Sequence, residues 1–225
     1  MTFEGFGAAT IRFLRALAEN NDKTWFDGHR QDYEACYVAP AIRFVTAVQA
    51  PLKALDPDLA AAPRINGSVF RINRDVRFSK DKTPYKPHID LWFWVGERKS
   101  PVSAMFLRLA PTTLFLGTGV HGFDAPRLGR FREAVVDPRS GPALEKATAS
   151  VEAAGHQVLG ARYKALPRGL DAPTPAAERF LRYNGLYGCS EGPHPASLGS
   201  AAFVDSCLEI WRACLPIHRW LVDLG

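Results

Sequence analysis

The feature that most constrains the fold is a change of hydrophobic period in the middle of the chain. In His88–Val95 and in Ser103–Ala110, successive side chains alternate between two faces, which is typical of β-strands. Gly96–Val102 lies between them and is expected to be a loop. One register puts the apolar positions of both strands on the same face and places Asp90 directly opposite Arg108. The pattern therefore predicts an antiparallel hairpin.

A third strand and two sets of helices complete the predicted architecture. Thr113–Thr118 continues the alternation after a tight turn at Pro111-Thr112, so the three strands form a meander. We expect an α+β fold in which residues 1–225 form a single globular domain, with the antiparallel meander packed against N-terminal and C-terminal helices. The predicted helices cover Ile11–Ala18, a segment capped by Asp22 or Thr24, a segment opened by Pro40, Ala125–Val135, Pro142–Ala154, Thr174–Tyr183 and Ser200–Leu215.

Two glycine-containing segments are interpreted as loops. Gly185–Gly199 contains four glycines and two prolines, and we expect it to be the longest loop, with the length of a lid. Gly117–Gly122 matches the G-x-G-x-x-G dinucleotide fingerprint, which requires a helix starting inside the glycines and a second parallel strand. Two helical segments follow Phe123–Pro126 instead. We therefore interpret Gly117–Gly122 as a turn that leaves the sheet.

Composition and cysteine usage indicate an ordinary soluble globular protein. The 225 residues are 47% hydrophobic and 23% charged, and the N-terminus has neither the basic nor the apolar region of a signal peptide. No run approaches eighteen apolar residues, so we expect no membrane partner. Cys36, Cys189, Cys207 and Cys214 form no C-x-x-C pair, and they are interpreted as buried thiols in a reducing compartment, the cytoplasm.

Almost all of the net charge lies in one segment, Arg71–Lys86. The chain has 28 basic and 23 acidic residues, a net charge of +5. Six of the basic and two of the acidic residues lie in this segment, which leaves 22 and 21 elsewhere, so sixteen residues carry +4. Cations this close repel one another unless anions lie among them. The charged residues are Arg71, Arg74, Asp75, Arg77, Lys80, Asp81, Lys82 and Lys86.

Three interpretations of this segment are open. It binds a small anionic ligand through phosphate or carboxylate groups, it belongs to a non-catalytic module that binds nucleic acid or an acidic partner protein, or it is purely structural and its arginines pair with carboxylates. We favour the small ligand over nucleic acid because the rest of the chain carries only +1. We also expect at least three of the cations to converge with Tyr85 on one concave site. Those cations are Arg71, Arg74, Arg77, Lys82 and Lys86.

No local motif defines a reaction. Six histidines lack the spacings of metal sites, and His88 and Asp90, which share a strand face, are interpreted as a polar pair. No nucleophile elbow or S-x-x-K motif is present. We expect no metal and no cofactor, while the catalytic residues, the existence of any enzymatic activity and the oligomeric state stay open. The face that carries His88, Asp90, Trp92 and Trp94 is expected to be covered by protein, because two exposed indoles would form an apolar patch.

Several segments carry motifs in a characteristic order, above all the basic segment Phe70–Lys86 and, later, Pro167–Gly169. Together they resemble the uncharacterised family described as domain of unknown function 2461, over nearly the full length of the chain. The resemblance implies a full-length globular domain of α/β type, assigns no reaction, and adds Arg168 to the candidate ligand-binding residues. Members usually have a His-Pro pair shortly after the Pro-Arg-Gly motif, where this chain has Asp171–Pro175, so no role is carried over for that histidine. The matching segments are Phe13–Asn21, Trp25-Phe26, Phe70–Lys86, Gly117–Gly119, Arg132–Ala134, Pro167–Gly169 and Trp220-Leu221.

The candidate ligand-binding residues are therefore Arg71, Arg74, Asp75, Arg77, Lys80, Lys82, Tyr85, Lys86 and Arg168.

Overall fold

The N-terminal third is helical, as predicted, in the computed structural model, which describes residues 2–225. The first helix ends at Asn20, whose backbone N–H donates to the carbonyl of Ala16 (3.0 Å). Asp22 caps the second helix by accepting a hydrogen bond from the backbone N–H of Trp25 (2.9 Å). The helices are α1 (Ala8–Glu19), α2 (Lys23–Gly28), α3 (Arg30–Tyr33) and α4 (Ala39–Leu55).

Helices α3 and α4 are joined by one π-helical turn, Glu34–Val38, into a continuous run. Pro40 lies in the first turn of α4, as predicted, and Phe44 is fully buried, whereas Ile42 is half-buried. An 18-residue window of the run has a mean hydropathy of 1.2, so its length and composition would allow a membrane span. However, 44% of that window is buried inside the structure, and the core helix of a soluble protein meets the same criteria.

Five strands form one antiparallel sheet in the order β1-β2-β3-β5-β4, which confirms the predicted α+β class and the three-stranded meander. Its first turn is tighter than predicted: β1 continues to Glu97 and β2 begins at Ser100, so the expected loop Gly96–Val102 is wrong. Gly96, inside β1 and next to the turn, has a positive φ of +81°. The second turn matches the prediction, because Ala110 N–H donates to the Thr113 carbonyl (2.9 Å). The strands are β1 (Ile89–Glu97), β2 (Ser100–Leu109), β3 (Thr113–Val120), β4 (Gln157–Ala161) and β5 (Tyr183–Pro193).

The outer edge of β1 is covered by the residues that lead into the basic segment. Phe70 N–H donates to the Asp90 carbonyl (3.1 Å), and Trp92 N–H donates to the Ser68 carbonyl (2.9 Å). A regular strand at Val69–Ile72 is not formed, and only Val69 pairs with β1. These bonds bring the start of Arg71–Lys86 beside Asp90.

The glycine-rich segment predicted to be a loop is mostly strand. Tyr183–Pro193 forms β5, where Val158 of β4 pairs with Gly188, so the lid interpretation is wrong for this part. A Cβ atom on Gly185 would overlap the carbonyl oxygen of His121, and one on Gly188 would lie 3.0 Å from Sγ of Cys214. These two glycines therefore allow close packing inside a strand. From composition alone, such a glycine-rich strand cannot be distinguished from a loop.

The C-terminal helices follow the prediction except at the end of the chain. Thr174 caps α7 by accepting a hydrogen bond from Ala177 N–H (3.1 Å), as expected of a Thr-Pro pair. The predicted helix Ser200–Leu215 corresponds to one helix that ends at Ala213, and a further helix, which was not predicted, begins at Leu215 with Pro216 in its first turn. The helices are α5 (Ala125–Val136), α6 (Ser140–Ala153), α7 (Pro175–Leu181), α8 (Phe203–Ala213) and α9 (Leu215–Leu224).

The contacts within the chain divide it into two compact units. The core of the first contains the packed rings of Phe3, Phe6, Phe44 and Phe203, with centroids 5.1–5.8 Å apart. The core of the second includes Phe131, which packs edge-on against Trp220 at 5.8 Å. The single-domain assignment stays a prediction. The first unit comprises the chain to Phe93, Phe106–Leu116 and Glu191–Leu208, and the second comprises Trp94–Met105, Gly117–Ser190 and Glu209–Gly225.

Replacing Gly185 by alanine should destabilise the protein strongly. The added methyl group would meet backbone at His121, which cannot move away like a flexible side chain, so we expect a loss of about 3 kcal/mol in the free energy of unfolding. Gly192→Ala is the matched control in the same strand, because nothing lies within 4 Å of the position that its Cβ atom would take. Urea denaturation measures both changes, and equal effects would contradict the packing explanation.

Candidate functional site

The basic segment is a loop whose two ends are tied together. Arg74 N–H donates to the Pro84 carbonyl and Lys86 N–H donates to the Ile72 carbonyl, both at 2.8 Å. Tyr85 anchors the second end, because its buried ring stacks on Phe26 with centroids 4.2 Å apart. Its backbone N–H and carbonyl bind the side-chain amide of Asn21 at 3.0 and 2.9 Å. The residues between these ends project from the first unit.

Short-range ion pairs hold the loop in shape. Arg74 Nη1 donates to Asp81 Oδ2 (2.6 Å) and also to the carbonyl and hydroxyl of Thr83. Arg77 makes a bidentate pair with Asp75, at 2.9 and 2.7 Å. Both aspartates of the segment are therefore paired within it, as the structural interpretation expects.

A second charge cluster surrounds Asp90, which is 4% exposed. Arg108 donates from Nε and Nη2 to its two oxygens, at 2.7 and 3.1 Å. The Lys86 ammonium lies 3.9 Å from Asp90 Oδ2, and His88 Nε2 lies 3.2 Å from the same oxygen but is misaligned for a hydrogen bond. The contact between Asp90 and Arg108 confirms the predicted cross-strand pair.

The two clusters line one cleft of about 570 Å³ in the first unit. Its wall is formed by the basic loop on one side and by residues at and near the sheet on the other. We call it the basic cleft. Its charged lining residues are Arg74, Asp75, Asp81, Lys86, His88 and Arg108.

The surroundings of the cleft shift several pKa values. Burial lowers the pKa of Lys86, the Asp90 carboxylate opposes this, and the charges of Arg108 and Arg71 lower it further. Burial alone would raise the pKa of Asp90, but contact with His88 and Arg108 outweighs burial and holds it below its usual range. Hydrogen bonds from the backbone of Thr83 and from Arg74 lower the pKa of Asp81 to about 2.

Only part of the predicted set comes together in this cleft. Arg74, Asp75 and Lys86 line it, whereas Lys82 turns back to donate to the Val76 carbonyl (2.9 Å). The predicted convergence of three of the cations with Tyr85 is not observed, because the Tyr85 ring is committed to Phe26. The other predicted residues do not line the cleft; they are the exposed residues Arg71, Arg77, Lys80 and, in the second unit, Arg168.

Two residues that line the cleft, His88 and Arg108, are not among the ligand-binding residues predicted from the sequence. The signal was available, because the register that pairs Asp90 with Arg108 also places His88 two residues from Asp90 on the same face. What the register did not indicate is that the basic loop folds next to that face. Within residues 2–225, no group of three or more His, Cys, Asp or Glu side chains is placed to hold a metal ion.

The two tryptophans of β1 are half-buried, so the prediction that protein covers this face is met in part. Trp92 packs edge-on against Phe70 and Phe106, with centroids 6.1 Å away in both cases. Trp94 lies under the guanidinium group of Arg98, which is 5.7 Å from the ring centroid. The indole of Trp92 is thus already packed against protein.

Replacing Asp90 by asparagine should lower the free energy of unfolding by about 2 kcal/mol at neutral pH. This expected loss in free energy is smaller than the cost of breaking a fully buried ion pair, because the Arg108 side chain is 45% exposed. The pKa of Asp90 is lowered in the folded state, so its contribution is present above the ordinary value of 3.8 and is lost as pH falls through the folded value. The difference between the two proteins should therefore shrink below pH 3.8.

Urea denaturation at neutral and acidic pH measures that difference. Asp27→Asn is the matched control, because Asp27 pairs with Lys23 and Arg30 on the surface of α2 and its replacement should have a much smaller effect. A difference between wild type and Asp90→Asn that does not change with pH would contradict an ionised, stabilising Asp90.

Comparisons with known proteins identify the family. Neither the curated proteins nor the solved structures contain a match to this chain. The family model described as "Conserved hypothetical protein (DUF2461)" matches residues 9–220, including the whole basic loop and every charged residue of the cleft. The chain therefore belongs to the DUF2461 family of conserved hypothetical proteins.

Proposed function

We propose that this protein binds a small anionic ligand, bearing a phosphate or carboxylate group, in the basic cleft. The observation that carries the proposal is the convergence of Arg74, Lys86 and Arg108 on one concave surface. They come from the loop and from β2, which are distant in sequence. The proposal concerns binding, and it assigns no reaction and no cofactor.

The carboxylates of the site fix these cations and leave donors available. Arg74 uses Nη1 for Asp81 and Thr83, and within residues 2–225 its Nε and Nη2 have no hydrogen-bond partner. Arg108 uses Nε and Nη2 for Asp90, and Nη1 has no partner within the same described range. An arginine held along one edge presents its other donors in a defined direction, which favours recognition of phosphate or carboxylate.

The ammonium of the third cation, Lys86, lies 5.3 Å from the Phe70 ring centroid and makes no hydrogen bond within residues 2–225. Lys86 is half-buried, its nearest carboxylate oxygen is 3.9 Å away, and that separation is too long for a hydrogen bond. Its pKa is lowered by burial and by neighbouring cations, so the charged form is disfavoured. A bound anion would offset both effects and would stabilise the folded state.

A small ligand fits the cleft better than a polymer does. A volume of about 570 Å³ is in the range of small-molecule sites. The alternative, a non-catalytic module for nucleic acid or an acidic partner protein, relies on the exposed cations outside the cleft. The further alternative, a purely structural segment, relies on the ion pairs already described. It differs from our proposal because it predicts no increase in the stability of the folded protein when anions are added.

We further propose a reducing compartment, the cytoplasm, as the location of the protein. No disulfide joins any of the four cysteines, and Cys189, Cys207 and Cys214 are buried. Burial raises the pKa of Cys207 and Cys214, which keeps these thiols protonated and unreactive. Buried cysteines that form no disulfide are typical of cytosolic proteins.

Phosphate, sulfate and citrate should raise the melting temperature more than chloride does at equal ionic strength. For a chain of this length we expect about 3 °C at anion concentrations well above the dissociation constant. Lys86→Met removes the ammonium and keeps the aliphatic chain, and it should abolish most of this gain.

Lys82→Met is the matched control, because the Lys82 ammonium binds loop carbonyls and does not line the cleft. This variant should keep the wild-type response to anions. The cleft is not an anion site, and the structural interpretation holds, if phosphate raises the melting temperature of wild type no more than chloride does. The same conclusion follows if phosphate raises the melting temperatures of both variants equally.

A further inference from the structure

Phe78, at the tip of the basic loop, is 95% exposed. The other large hydrophobic residues that are exposed within residues 2–225 keep more than half of their surface covered: Val136, Leu159 and Tyr163 are 38–41% exposed. A phenylalanine ring that is left almost wholly in water gains nothing from the fold. Its position is therefore better explained by a partner than by packing.

The loop holds this ring away from the protein body. Ser79 N–H donates to the Val76 carbonyl (3.3 Å), which makes a tight turn around Phe78. The Lys82 ammonium binds the Val76 carbonyl, and Arg74 pairs with Asp81 across the base of the loop. These bonds prevent the tip from folding back, so little conformational freedom would be lost when the ring meets a partner.

One guanidinium group lies beside the ring, and further cations are near it in sequence. The Arg77 guanidinium lies 5.8 Å from the ring centroid, and the exposed Lys80 and Arg71 are near it in sequence. The segment Arg71–Lys86 has a net charge of +4, and both of its carboxylates are already paired with arginines. A partner that complements this tip has an anionic surface above an apolar layer.

We propose that the tip Val76–Lys80 docks on an anionic phospholipid surface. Phe78 would insert at the level of the headgroups, while Arg77 and Lys80 would contact lipid phosphates and carboxylates. No spanning segment is needed for such peripheral docking, so the sequence-based expectation of no membrane partner, which came from the lack of a long apolar run, does not bear on it.

Nucleic acid fits these observations less well. Sequence-independent binding of single strands uses several aromatic rings on which successive bases stack, and the tip offers one ring. Another aromatic candidate, Trp92, is packed between Phe70 and Phe106. Outside the segment the chain carries only +1, too little for a face that contacts many phosphates.

The test is cosedimentation of the full-length protein with large unilamellar vesicles. Vesicles of phosphatidylcholine containing about 30% phosphatidylserine should bind the protein, whereas pure phosphatidylcholine vesicles should bind it weakly, because the headgroup charge supplies the attraction. Phe78→Ala should lower the partition coefficient for the anionic vesicles about ten-fold. Leu159→Ala, a control at another exposed apolar residue, should leave it unchanged.

A second pair of measurements separates this proposal from the function proposed for the cleft. Phe78→Ala should keep the stabilisation by phosphate, and Lys86→Met should keep most of the vesicle binding. The Phe78→Trp variant should bind the anionic vesicles as wild type does. Lipids brominated near the headgroup should quench the fluorescence of its added tryptophan. The proposal is overturned if wild type does not sediment with the anionic vesicles, if Phe78→Ala binds as wild type does, or if a Phe78-dependent interaction occurs with a single-stranded oligonucleotide and not with vesicles.

Discussion

Asp90 is 4% exposed, and its carboxylate lies within 3.9 Å of the Lys86 ammonium, the His88 imidazole and the Arg108 guanidinium. A buried carboxylate without partners would cost several kcal/mol, and three basic side chains placed together without an anion would repel one another. The basic side chains therefore stabilise the buried carboxylate, and the carboxylate reduces the repulsion among them. Because the backbone carbonyl of Asp90 also accepts the N–H of Phe70, the same residue ties the start of the basic loop to the edge of β1.

Ion pairing and ligand binding are compatible in this arrangement. Asp81 and Asp90 each bind part of one guanidinium group, which orients Arg74 and Arg108 without using all of their donors. The pairs that a purely structural interpretation expects are thus present, and the same pairs preorganise a cationic surface. Lys86, whose pKa is lowered, contacts Asp90 at 3.9 Å and the Phe70 ring, but its ammonium makes no hydrogen bond within residues 2–225 and can donate to an anion.

The sequence predicted what local periodicity and register can determine. Alternation in two strands was enough to place Asp90 against Arg108, and capping residues such as Asp22 and Thr174 located helix starts. The secondary-structure prediction failed where tertiary packing decides. The glycines of β5 allow close contacts inside a strand, but their number in the sequence resembles that of a loop. Part of the predicted segment lines a cleft, but charge counting cannot show that Tyr85 stacks on Phe26, that Lys82 turns back, or that Arg108 lines the same cleft.

The central claim, that oriented arginines of the basic cleft receive an anion, is tested most directly by NMR of the arginine Nε–H groups in ¹⁵N-labelled protein during a phosphate titration at constant ionic strength. We expect the Nε–H resonance of Arg74, which is unpartnered within residues 2–225, to shift in a saturable manner. The Nε–H resonance of Arg77, which is bound to Asp75 and does not line the cleft, should not shift in this way. A linear response of Arg74, equal to that produced by chloride, would contradict the account.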